Sequence, residues 1–195
     1  MNERCKCPKC GALHPFQSTI ETSKSGVSSH IGLFIDGGNL YHAAKKLGFK
    51  VDFLRLRDYF VPPGKKLFRA FYYTAHDANQ PFIMKILDWL RHNGFTVVSK
   101  QVKIFSTSAM KGNLDVELVI DMMINMNNYG TAVLVSGDGD FTRCVVELQK
   151  NGKKVHVVST EKTSPSLLAQ ELKKQADKFI ELAEIIPQIE QVDNY

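Results

Sequence analysis

Four aspartates stand where this chain should end a strand or start a helix, and a fifth lies within a helix. Asp36 closes the apolar run Ile31–Ile35 and opens Asp36-Gly37-Gly38-Asn39. Asp138 and Asp140 lie in Ser136-Gly137-Asp138-Gly139-Asp140, at the end of a second apolar run. Asp115 begins a stretch of helical composition, and Asp121 follows six residues later. Carboxylates gathered at one place repel each other and raise each other's pKa, unless solvent or a divalent cation intervenes. Hard oxygen donors of this kind suit Mg²⁺ or Mn²⁺. Such an ion lowers the pKa of a bound water and stabilises charge on a phosphoryl group. Asn39 adds a neutral carbonyl or amide that can orient a water or ligand. Taken singly, each aspartate has a plainer role: Asp36, Asp115, Asp138 or Asp140 could each cap a following helix, and Asp121 could be solvated or paired with a lysine.

What must position these groups is an alternation of strands and helices. Ile31–Ile35 is a short apolar run ended by Asp-Gly-Gly, which reads as a buried strand and a turn. Asn39–Leu47 reads as a helix closed by Gly48. Leu67–Thr74 is a second strand. A helix starts at Pro81 and runs on Phe82, Ile83, Ile86, Leu87 and Leu90 until Gly94. The segment Phe95–Phe105 contains a third strand, Leu114–Met126 is strongly helical, and Thr131–Ser136 is the fourth strand. A helix over Phe141–Lys150 ends at Asn151-Gly152. Val155–Ser159 is the fifth strand, Leu167–Gln175 a helix, and Phe179–Leu182 a short edge strand. This alternation predicts an α/β fold, a three-layer αβα sandwich with a mainly parallel, Rossmann-like central sheet. Sites in such sheets lie beyond the carboxyl ends of the strands, where strand order reverses. Asp36 and the Asp138–Asp140 pair both follow strands at that edge. They converge if the first and fourth strands are neighbours.

The chain has 195 residues, a net charge of +5 and 44% apolar residues. That suits one α/β domain, over 30–186, with extensions at 1–29 and 187–195. The basic excess fits an anionic partner without proving one. No apolar leader follows Met1 and no apolar run is long enough to span a bilayer, so a cytoplasmic, non-membrane protein is expected. Cys5, Cys7 and Cys10, with His14, crowd the N-terminus. In a reducing compartment such crowding suggests metal, and Cys-x-x-Cys-Gly has the shape of a zinc knuckle. A compact Cys₃His zinc site, a reactive arm, or half a site completed by another chain all remain open. Ser18–Ser29 reads as a linker. Cys144 falls on an apolar helix face and reads as core.

Three ordered motifs carry a resemblance. Phe34-Ile35-Asp36-Gly37-Gly38-Asn39-Leu40-Tyr41, then Lys111-Gly112-Asn113-Leu114-Asp115 with Asp121, then Val135-Ser136-Gly137-Asp138-Gly139-Asp140-Phe141 resemble the NYN domain in its LabA-like branch, within the PIN-like nuclease superfamily. The likeness spans about residues 30–185. It implies a PIN-like fold and a metal-dependent ribonuclease-type site. By position, Asp36, Asp115, Asp138 and Asp140 become the acidic catalytic and metal cluster, and Asn39 and Ser136 support it. Asp121 matches an acidic family position too, although its six-residue helical offset turns it away from Asp115. Gly38 departs from the pattern, since relatives often carry Glu there. Members of this branch also act as regulators. The alternative is therefore a regulatory or RNA-binding module of the same fold with little catalysis, and with a protein partner or a second copy of itself.

Lys111 and Arg143 are candidate phosphate contacts of the sequence-independent kind; the plainer reading is two solvated cations. Tyr41, Tyr72 and Tyr73 could stack bases. Neighbours on a strand point to opposite faces, so core packing suits Tyr72 and Tyr73 better. Two other chemistries fit poorly. A haloacid-dehalogenase phosphatase wants a second Asp two residues after Asp36, where Gly38 stands. An EF-hand reading of Asp138-Gly139-Asp140 has no acidic residue at the closing position.

Overall fold

The computed structural model describes residues 29–77, 81–102 and 113–192, together with the backbone of residues 5–6 and 13–14. Those two short segments form an antiparallel ribbon in which Cys5 pairs with His14. Cys7, Cys10, Lys111 and the side chains of Cys5 and His14 lie outside the described residues.

Six strands form one sheet: β1 (His30–Asp36), β2 (Lys66–Asp77), β3 (Phe95–Val102), β4 (Thr131–Val135), β5 (Lys154–Ser159) and β6 (Lys178–Glu181). Their spatial order is β3-β2-β1-β4-β5-β6, and every pairing is parallel. This is the doubly wound order, and the strand sequence reverses between β1 and β4. Around the sheet lie α1 (Gly37–Leu47), α2 (Phe53–Tyr59), α3 (Pro81–His92), α4 (Asp115–Ile124), α5 (Thr142–Lys150), α6 (Gln170–Gln175) and α7 (Leu182–Ile189). No helix among the described residues is long and apolar enough to cross a membrane.

The strand period of two sorts side chains into two cores. Leu33 and Ile35 of β1, Tyr72 of β2, and Val133 and Val135 of β4 face one side, where Leu40, Leu56, Leu90 and Ile185 from α1, α2, α3 and α7 cover them. Phe34, Phe71, Tyr73 and Leu134 face the other, beneath Leu118, Met122, Val145 and Leu172 from α4, α5 and α6. Tyr72 and Tyr73 thus enter opposite cores, and both are buried. Phe34 stacks on Phe71 at 5.0 Å. Cys144 is buried with its Sγ 4.0 Å from the Met122 sulfur. With both faces covered, the central strands are apolar without alternation, as parallel sheets require.

Two helices differ from what the sequence suggests. α2 is a single seven-residue helix, started by the Asp52 carboxylate, which accepts from the Leu54 and Arg55 N–H groups. α7 follows β6 directly, contains Pro187, and buries Leu182, Ile185 and Ile189. Glu190, just past its end, bridges to Val51. The stretch before α6 is also not helical from Leu167. There Leu167 N–H bonds to the Thr160 carbonyl and Ala169 N–H to the Gly137 carbonyl, strapping this loop across the end of β4.

Candidate functional site

The switch point fixes the first two acidic segments. Ile35 pairs with Val135, so Asp36 and Ser136 each lie one residue beyond that pair. The Ser136 hydroxyl donates to Asp36 Oδ2 at 3.0 Å, and Asn39 N–H donates to Asp36 Oδ1 at 3.0 Å. Asp36 therefore does cap α1, and that cap holds the carboxylate at the strand crevice. Asn39 Oδ1 in turn accepts from Gly137 N–H at 3.1 Å, tying the two turns together. Asp138 caps a short 3₁₀ turn, its Oδ1 accepting from Asp140 N–H at 3.0 Å. Gly137 must be glycine for want of room: a Cβ there would stand 1.9 Å from the Leu167 carbonyl oxygen and 2.4 Å from Ser159 Oγ.

α4 delivers the third segment. Asp115 does not cap its helix. Asn113 Oδ1 accepts from Asp115 N–H at 2.7 Å instead, leaving the Asp115 carboxylate in the first turn, facing Asp138. One carboxylate oxygen each from Asp115, Asp138 and Asp140 lie within 4.8 Å of one another. Asp36 borders the same cleft, of about 390 Å³, as do Asp115 and Asp138. Gly38, Asn39 and His42 of α1 form one wall, Tyr73, Thr74 and Ala75 of β2 a second, and Asn113, Leu114, Asp115 and Leu118 a third.

The electrostatics bear the mark of this crowding. Burial pushes the Asp36 carboxyl above its ordinary value, and the charge of Asp138 adds to the rise. Hydrogen bonds from Asn39, Ser136 and Gly38 oppose it. Burial also raises Asp115, and the charges of Asp36, Asp138 and Asp140 add to that. Four of the five aspartates thus feel one another across the crevice.

Asp121 stands apart. Its Oδ2 accepts a 2.9 Å hydrogen bond from the Tyr73 hydroxyl, and it is not among the three converging carboxylates. Burial and the Asp121 charge hold the Tyr73 phenol well above its usual range, so it stays a donor. Arg143 is exposed on α5 and pairs with Glu147 at 2.7 Å. Three residues at the site were given no site role from the sequence. Asn113 has a legible signal, an Asn two residues before a helix's first turn, where it forms an Asx turn. His42 lies one helical turn beyond Asn39, on the same side of α1. The Leu167 strap has no local signal, because only tertiary folding brings it to Gly137.

An open, doubly wound parallel sheet with a carboxylate cluster at its switch point defines the class: an α/β domain with an acidic crevice site. Residues 30–184 match the NYN domain, and the chain belongs to that family. It is 34% identical over 172 residues to the low amplitude and bright protein LabA of Synechococcus elongatus, covering 85% of this chain and 90% of LabA. The fold also matches the crystal structure of a protein of unknown function from Vibrio parahaemolyticus. The TM-score is 0.67 and the identity 26%, over 80% of this chain and 94% of the other.

Proposed function

We infer that this domain is a metal-dependent ribonuclease, hydrolysing RNA phosphodiester bonds at the acidic crevice. The observation that carries the reading is the meeting of Asp115, Asp138 and Asp140 at the switch point, with Asp36 beside them. Their donor set fits Mg²⁺ or Mn²⁺: all are carboxylate oxygens. The three oxygens lie within 4.8 Å of one another, a span that modest side-chain movement would close around an ion at the Mg–O distance of about 2.1 Å. The mutual raising of Asp115 by its neighbours is the repulsion that a cation relieves.

A divalent ion held by Asp115, Asp138 and Asp140 would supply a water of lowered pKa and would neutralise charge on a phosphoryl oxygen. The chain's own groups do the rest. Ser136 and the Asn39 N–H fix Asp36, so the fourth carboxylate needs no reorganisation when substrate arrives. Asn113 orients the start of α4 and with it Asp115. The Asp138 cap holds the loop carrying Asp140. Each turn is braced by hydrogen bonds within the site, which is the preorganisation that catalysis at a crevice requires.

Labelled RNA incubated with Mn²⁺ or Mg²⁺ tests this. Cleavage by the parent protein, absent with EDTA and reduced by orders of magnitude in Asp138→Asn, is the expected result. Asp138→Asn cleaving as well as the parent would show that the crevice is not the site.

A further inference from the structure

The acidic crevice poses a problem for an RNA strand, because its carboxylates repel phosphate. Around the carboxyl edge of the sheet, cations are neutralised in pairs: Lys100 with Glu117, Arg143 with Glu147, Lys162 with Glu184, and Lys173 with Glu161. α1 is different. From Gly37 to Leu47 it contains no acidic residue, and it carries His42, Lys45 and Lys46. None of the three is in an ion pair among the described residues. Lys46 reaches only the Pro165 carbonyl, at 3.5 Å.

α1 also presents an aromatic face. Tyr41 is 59% exposed. Its ring meets His42 edge-on at 5.5 Å, and Lys45 Nζ lies 5.9 Å from its centroid. Tyr41 belongs to neither core. His42 borders the crevice, so this face is continuous with the proposed site. Tyr41 lies about 8 Å and Lys45 about 14 Å along α1 from Asp36, at 1.5 Å per residue.

Resting on the reading of the crevice as acting on RNA, we propose that α1 is the substrate track, and that the substrate is single-stranded. A base adjoining the cleavage point stacks on Tyr41, and His42 and Lys45 meet the backbone phosphates on either side. The combination of stacking aromatic and basic side chains is the one by which proteins hold single strands without reading sequence. A duplex hides its base faces and cannot use Tyr41 in this way. Uncompensated positive charge on α1 draws the strand in without metal, and a cation is needed only where the scissile phosphate meets the carboxylates.

The test is binding in EDTA, so that cleavage does not intervene. Fluorescein-labelled oligouridylate and an RNA duplex of equal length are titrated with the full chain, and anisotropy is read. The parent should bind the oligouridylate and prefer it to the duplex. Tyr41→Ala should weaken that binding at least about fivefold, the low end of what loss of one stacked base costs. Tyr41→Phe, which keeps the ring, should stay within about twofold of the parent. Lys45→Ala should flatten the salt dependence by about 0.7 in log–log slope, the effect of one single-strand phosphate contact. Trp89→Ala, which removes another half-exposed aromatic, on α3, should change nothing. Failure of the parent to bind oligouridylate overturns the proposal, as does Tyr41→Ala binding like the parent, or Trp89→Ala matching its loss. Cleavage is scored separately. If RNA binds through Tyr41 but is never cut with Mn²⁺, the nuclease reading falls and the track stands. If RNA is cut while Tyr41→Ala leaves both Kd and KM untouched, the track falls and the nuclease reading stands.

Discussion

Replacing Asp138 with Asn should make the metal-free protein more stable. Asp138 faces Asp115 and Asp140 with carboxylate oxygens within 4.8 Å. At that distance each like-charge pair costs about 0.9 kcal/mol at the dielectric of water and about 3.5 kcal/mol at an effective dielectric of 20. Asp140 is exposed and Asp115 half-buried, so the lower figure governs; Asp138 and Asp140, two residues apart, also repel in the unfolded chain, so the pair with Asp115 sets the gain, roughly 1 kcal/mol at low salt. Asn keeps the side-chain oxygen that accepts from Asp140 N–H, and Asn caps as well as Asp. The substitution therefore removes repulsion and spares the turn. For a chain of this size about 1 kcal/mol raises Tm by about 2–4 °C. Mn²⁺ should reverse the order. At a hundredfold excess over Kd the parent gains about 2.7 kcal/mol, whereas the variant has lost a ligand and gains much less. Thermal melts in EDTA and in a Mn²⁺ series, at low ionic strength, read both effects. A variant that melts below the parent in EDTA, or that shifts equally with Mn²⁺, would refute the argument that these carboxylates form one strained cluster.

Gly137→Ala should destabilise by about 1–3 kcal/mol or more, as overpacking does, because its Cβ would collide with the Leu167 carbonyl oxygen; the urea midpoint checks this. Tyr73→Phe removes the hydroxyl that bonds to Asp121 and should cost about 1–2 kcal/mol of stability, while calorimetry finds Mn²⁺ affinity within about twofold of the parent. The raised carboxyl of Asp36 sets a pH dependence. Between its ordinary value of 3.8 and its higher folded value, the folded state binds more protons than the unfolded one, so this group's contribution to stability falls as pH rises through that window. Urea midpoints in EDTA at pH 4 to 7 should therefore show Asp36→Asn gaining on the parent as pH rises, and a gap that is flat or shrinks would contradict the assignment.

The fold's alternation was legible because each central strand is a short apolar run closed by turn residues. Asp36 and Asp138 were legible as site candidates for the same reason: a parallel strand ends at the edge where ligands bind. That β1 and β4 are neighbours follows from the family resemblance and the switch-point rule, not from either strand alone. The helices α2 and α7 were less visible. Seven residues give too few turns for a clear 3.6-residue period, and Pro187 reads as a breaker although Leu182, Ile185 and Ile189 keep helical spacing. Asp121 shows the limit of spacing arguments. Six residues along a helix is 600°, or 240° after one full turn, which turns it from Asp115 toward Tyr73. No local pattern could name Tyr73 as its partner, since they meet only when α4 packs on the sheet.

The central place of β1 has a consequence for how the chain is made. Ile31 pairs with Thr131, one hundred residues later. At about 5–20 residues per second, β1 leaves the ribosome roughly 5–20 s before the strand that completes its second edge. During that interval β2 and β3 can join it, but its other edge of unpaired amides stays open, a template for wrong pairing. Closing a loop of this length costs about 4 kcal/mol in chain entropy, recovered only when the second half docks. Asp36 and Asp138 are brought together by that same closure, so the acidic crevice exists in neither half of the sheet alone.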